Sequence, residues 1–222
     1  MGVNFDYAKR LQIASLILEG GALPEVARIA SVSKENVNTL FHRANAACRA
    51  YQDAVFTGLS STSLSIKAIW APLLLGPGVR GAKVDDDVWA WMAVDGAGLV
   101  PHWQLGRRDR ATARSFTIAL GARFRSRPEL RWDDEIDHLR KGLDRDGSSP
   151  AADAPRIRED PHLREADIFG LHVMRHNFSR MSPATGVTPA MANGIERRPW
   201  FAHDIMSVVD NWYLRSRGIA IR

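Results

Sequence analysis

The chain has 222 residues, 45% apolar and 25% charged, which is enough to bury a core in one or two domains and too apolar for an overall disordered polymer. No apolar run approaches the roughly 18 residues of a membrane helix, Met1 to Asp6 lack the basic-then-apolar layout of a secretion signal, and the single Cys48 makes neither an internal disulfide nor a cysteine-rich zinc site. A reducing cytoplasm is expected, and the formal charge of +5, carried by 25 arginines and 5 lysines, directs attention to anionic partners because arginine suits bidentate contacts to phosphate.

The first expected helix runs from Asp6, its N-cap, to Glu19, with Leu11, Ala14, Ile17 and Leu18 at helical spacing and Gly20-Gly21 as its stop. Leu23 to Ala30 reads as a second, short helix with Pro24 at the first helical position, where a missing N–H costs nothing. Ser31-Val32-Ser33 then makes a tight turn, and Ser33 caps a third helix reaching about Phe56. In it Val37, Leu40, Phe41, Ala44, Cys48, Tyr51 and Val55 form one apolar stripe. Two short helices across a three-residue turn, with another packed behind, make a helix-turn-helix layout over residues 1–58. Its reading helix begins at Ser33 and offers Lys34, Asn36, Asn38, Thr39, His42 and Arg43 to base edges or phosphates of double-stranded DNA. The same pattern also fits a plain three-helix bundle, or a protein-interaction module joined through its apolar stripe.

After a short linker at Gly58 to Ser63 the period changes. Leu64, Ile66 and Ile69-Trp70 suggest a strand, and Pro72 to Lys83 suggests a loop. Val88 to Val94 is apolar on both faces, as in a central buried strand, and Gly96-Ala97-Gly98 turns it into a strand at Leu99 to Leu105. Asp109 is expected to cap a helix with Ala113, Phe116, Leu120 and Phe124 inward, followed by a short strand at Glu129 to Trp132 and then Asp133-Asp134. Strand, hairpin, helix and strand with a terminal aspartate is the arrangement of an RNase H-like domain, here over residues 62–141. Residues 142–160, rich in Gly, Ser and Pro, read as a linker. The part 161–222 is expected to be helical at Leu163 to Phe178 and Asp204 to Leu214. The fold class is therefore α+β or α/β: a trihelical N-terminal part, a truncated mixed sheet and C-terminal helices.

Leu171-His172-Val173-Met174-Arg175-His176-Asn177-Phe178, followed by Val187-Thr188-Pro189-Ala190-Met191-Ala192-Asn193-Gly194, resembles the C-terminal end of transposases of small bacterial insertion sequences. Asp87 to Asp95, Leu99-Val100-Pro101-His102-Trp103 and Gly106 to Ala113 are similar to that family's central hairpin and the start of its helix. Ala46 to Asp53 matches its N-terminal part, so the resemblance spans nearly the whole chain. It implies an end-binding module and an RNase H-like domain that cuts and joins DNA, with a carboxylate triad holding two divalent metals. Such ions stabilise the attacking and leaving oxygens of an in-line displacement at phosphorus, and hard Mg²⁺ prefers oxygen ligands.

The triad departs from the family pattern. In the segment matching the first catalytic aspartate, Ile66-Lys67-Ala68-Ile69-Trp70, Lys67 stands in the aspartate's place, and a cation there repels Mg²⁺. Asp133 matches the second aspartate. The third carboxylate belongs to a long segment before the C-terminal helix, whereas only about 40 residues separate Asp133 from Leu171 here. That segment is read as deleted, which is expected to expose a strand edge or helix face and favour a homo-oligomer. The expected protein keeps DNA binding and has lost strand cleavage, needs no cofactor, has no membrane role, and acts at the nucleoid as a regulator or persists as a relic. The competing expectation is a working transposase with Asp95, Asp133 and Glu159 regrouped around Mg²⁺. Asp85-Asp86-Asp87 fits a solvated strand entrance better than a metal site, because neighbours in an extended chain face opposite ways. Residues 107–131 add eight arginines against Asp109 and Glu129, and Arg107, Arg108 and Arg110 are candidate phosphate contacts.

Overall fold

The computed structural model describes residues 5–70, 88–140 and 169–218, and the chain divides into two compact units. Pro72 to Lys83, Asp85 to Asp87, the 142–160 linker, Glu159 and the expected helical start at Leu163 lie outside the described residues. Among the described residues the protein is mixed α and β, with eight helices and one four-stranded mixed sheet.

The first unit draws on both ends of the chain, residues 5–55 and 169–218. Helix α1, Tyr7–Leu18, starts where the Asp6 carboxylate accepts the Lys9 N–H at 2.7 Å, and it buries Ile13, Ala14 and Ile17. Helix α2, Leu23–Ala30, carries its proline in the first turn and ends on Ser31 in the left-handed region (φ 54°), where the chain reverses tightly. The Ser33 hydroxyl then accepts the Asn36 N–H at 3.3 Å and opens α3, Lys34–Val55. The side-chain oxygens at both caps satisfy amides that the first helical turn leaves without backbone partners.

The apolar stripe of α3 is buried at Val37, Leu40, Phe41, Ala44 and Cys48, but two buried residues on this helix are polar, Asn45 and Gln52. Their partners come from the C-terminal segment. Asn45 Oδ1 accepts the Leu171 N–H at 2.9 Å, Gln52 Nε2 donates to the Gly170 carbonyl at 3.1 Å, and Asn177 Nδ2 donates to Gln52 Oε1 at 3.1 Å. The approach is close enough that a Cβ on Gly170 would lie 2.4 Å from the Asn45 carbonyl oxygen. Each buried amide is thereby satisfied, which removes the desolvation penalty it would otherwise carry.

In that segment α6, Phe169–Met174, widens into one π-helical turn at Arg175–Ser179. The wider turn lets consecutive residues face inward: Asn177 bonds Gln52 while Phe178 lies against Trp200, ring centroids 4.6 Å apart. The sequence leads one to expect an unbroken α-helix here, and the demand for burial of both Asn177 and Phe178 is what changes its pitch. Helix α7, Pro189–Ala192, is capped by Thr188, and α8, Ala202–Ser216, begins two residues before its expected start because Asp204 accepts the Phe201 N–H at 2.9 Å.

The second unit, residues 56–70 and 88–140, holds β1 (Ser63–Trp70), β2 (Trp89–Asp95), β3 (His102–Gly106), α4 (Arg110–Gly121), β4 (Glu129–Trp132) and the short α5 (Asp137–Arg140). The strand order is β3-β2-β1-β4, with β1–β2 and β2–β3 antiparallel and β1–β4 parallel. One face of β1 and β2, from Leu64, Ile66, Trp91 and Ala93, packs on Ala113, Phe116 and Leu120 of α4 and on Ile136 and Leu139. Asp109 caps α4 through the Thr112 N–H at 2.8 Å, and Gly106 is required there, since a Cβ would lie 2.5 Å from Thr112 Cγ2.

Candidate nucleic-acid interface

The seven residues expected to face DNA from the N-terminal part separate into three groups. Lys34, Asn38 and His42, each four apart, are exposed along one face of the first turns of α3. Ser33 and Thr39 are engaged with their own helix, Ser33 as the cap and Thr39 by donating its hydroxyl to the Glu35 carbonyl at 2.8 Å, and Asn36 is half-buried beside that cap. Arg43 is half-buried at the edge of the face, its guanidinium carbon 5.2 Å from the centroid of Tyr213 on α8. The exposed trio supplies an ammonium, a carboxamide and an imidazole, which suit phosphate oxygens and base edges.

In the second unit Arg107 and Arg110 are exposed where β3 leads into α4, and the Arg107 carbonyl accepts the Trp91 indole N–H at 3.1 Å. Arg108 has a packing role: its guanidinium lies 4.8 Å from the Trp89 ring centroid and 3.3 Å from the Glu135 carboxylate. Arg123 approaches His102 Nδ1 at 3.3 Å and Arg131 pairs with Glu129, so part of this arginine-rich stretch is occupied internally.

Of the carboxylates named from the sequence, Asp95 and Asp133 are described, at the ends of β2 and β4, and they have separate tasks. Asp95, at the end of β2, accepts the Ala97 and Leu99 N–H groups at 2.9 and 2.8 Å and so shapes the β2–β3 turn. Asp133 is exposed just after β4, and its N–H donates to the Ile66 carbonyl at 3.0 Å. Ile66 pairs with Trp132, so the register carried one step further sets exposed Lys67 alongside Asp133. Among the described residues no three His, Cys, Asp or Glu side chains gather around a common point. The Asp133 carboxylate instead accepts the Glu135 N–H at 3.4 Å, whereas a Mg²⁺ site needs several converging oxygens. His172 meets Phe41 edge-on, with ring centroids 6.5 Å apart, as a packing residue.

Asn45, Gln52, Asn177 and Tyr213 are missed when the sequence is read for function. The visible signal was the pair Asn45 and Gln52, seven apart within an otherwise apolar seam. No helix among the described residues is long and apolar enough to cross a membrane. Comparison with protein-family models, curated proteins and solved structures finds no match.

Proposed function

We propose that the chain is a double-stranded-DNA-binding protein of insertion-sequence transposase descent that does not cleave or transfer strands. The observation that carries the reading is α2, the left-handed turn at Ser31, and α3 with Lys34, Asn38 and His42 exposed in its first turns. That layout suits insertion of α3 into a major groove, with the side chains near its start aimed at the bases. Descent is supported by the strand order β3-β2-β1-β4 with α4 between β3 and β4, the order an RNase H-like domain uses for its first four strands. Loss of cleavage is supported by Lys67 on β1, in the segment that resembles the family's first catalytic aspartate, since a cation there opposes binding of a divalent ion. Such a protein suits regulation of transcription or of related elements in the nucleoid.

The reading of a free interaction surface is less favoured, because Val37, Leu40, Phe41, Ala44 and Cys48 of the α3 stripe are buried, with Tyr51 and Val55 half-buried. The test is fluorescence anisotropy on duplex DNA across a salt series, beside Lys34→Ala/Asn38→Ala/His42→Ala. We expect binding that falls steeply with salt, as phosphate neutralisation releases counterions, and that the triple substitution weakens. Salt-independent or absent binding overturns the DNA reading, and Mg²⁺-dependent nicking of a terminal-repeat duplex overturns the loss of cleavage.

A further inference from the structure

We propose that the C-terminal turn of α8 forms, with Arg43, a second phosphate-contacting patch flanking the exposed face of α3, so that both ends of the chain hold the same DNA backbone. The inference rests on the DNA-binding reading above and extends it to residues no motif singled out. Tyr213 is its centre. The Arg43 guanidinium lies 5.2 Å from the Tyr213 ring centroid and the Arg217 guanidinium 4.8 Å from it, so one ring on α8 holds a cation from α3 and one from the residue that caps its own helix. An aromatic ring steadies a guanidinium without neutralising it, leaving its N–H donors available to an anion.

The carboxylates of α8 are committed elsewhere. Asp204 pairs with Arg198 and Asp210 with Arg10, while Arg43, Arg215 and Arg217 have no carboxylate partner among the described residues. Arg215 and Arg217 are exposed and Arg43 directly follows His42 on α3. The two ring-held guanidinium carbons lie no more than about 10 Å apart, and two like charges kept that close with no counter-charge favour a polyanion that bridges them. A duplex backbone supplies phosphates in a continuous row, and planar guanidinium is the side chain best matched to them. These contacts position the protein and carry no sequence information.

The test uses the full chain and the same anisotropy titration, with Arg43→Ala/Arg217→Ala, the two ring-held guanidiniums, the fold being checked by circular dichroism and thermal melting. The expected result is binding about tenfold weaker on every duplex sequence, with a log-log salt slope shallower by about 2, since each lost phosphate contact removes roughly 0.9. Tyr213→Leu, which keeps the apolar body but loses the ring, is expected to weaken binding in the same sequence-independent way. A double-arginine variant with the wild-type affinity and slope overturns this proposal while wild-type binding leaves the DNA reading standing. A wild-type chain that does not bind DNA overturns both.

Discussion

Asp204 gathers three hydrogen bonds at one position. It accepts the Phe201 N–H at the start of α8 and takes both terminal nitrogens of Arg198, at 2.8 and 2.6 Å. The Arg198 guanidinium, then the Phe201 amide, hold its carboxyl below the ordinary carboxylate range. The unfolded chain therefore binds a proton at a higher pH than the folded one. The stabilisation is fully present above the ordinary value near 4 and is lost as pH falls through the depressed one. Arg198 is mostly exposed, so solvent screens the ion pair and the helix cap contributes the larger share. Asp204→Asn, which keeps an oxygen for the Phe201 N–H but removes the charge, is expected to cost about 0.5 kcal/mol at neutral pH, with the gap to wild type narrowing at a pH below the ordinary carboxylate value. Urea denaturation at the two pH values measures it, and an equal gap at both would show that ionisation of this group is irrelevant to stability.

At the scale of elements, the sequence was legible wherever the cause was local. Asp6, Ser33 and Asp109 each receive the N–H three residues on, as their spacing predicts, and the buried stripe of α3 follows the helical period. The exposure of Lys34, Asn38 and His42 could be read from the same period. What could not be read was the pairing of distant segments: nothing in the order of residues says that Asn45 meets Leu171, that Gln52 meets Gly170, or that Arg43 meets Tyr213. The π-helical turn follows from those same distant demands. The contact of α6 with α3 yields a paired prediction. Gly170→Ala forces a methyl group onto the Asn45 carbonyl and is expected to destabilise the protein by about 2 kcal/mol. Gly121→Ala, at the end of α4 with nothing within 4 Å of the added carbon, is expected to be neutral or to stabilise by up to about 1 kcal/mol. Chemical denaturation of both variants checks the contrast, and a harmless Gly170→Ala would mean that α6 and α3 separate without cost.

At the scale of the whole molecule, the chain returns to its beginning. The first unit is completed only when residues 169–218 rejoin 5–55 across the intervening sheet-bearing unit. Arg10 on α1 pairs with Asp210 on α8, Arg43 stacks on Tyr213, and the two buried amides of α3 have their partners in α6 and the π-helical turn. A helix-turn-helix unit that folds alone needs an apolar face covered by its own three helices. Here α3 buries Asn45 and Gln52 against chain that lies more than a hundred residues away. Cut free, residues 1–58 would leave those amides and the neighbouring Cys48 and Phe41 side of α3 without their C-terminal cover. Apolar surface exposed in this way costs roughly 25 cal/mol per Å², in a fragment already near the size at which a core is marginal. The fragment 1–58 is therefore expected to lack a cooperative thermal transition and to bind a hydrophobic dye. Adding residues 167–222 in trans is expected to restore helicity and, with it, the salt-dependent DNA binding proposed for the full chain. Circular dichroism of the fragment alone and mixed is the measurement. A fragment that melts cooperatively and binds DNA as tightly as the full chain would make α1 to α3 self-sufficient and reduce the C-terminal helices to passengers.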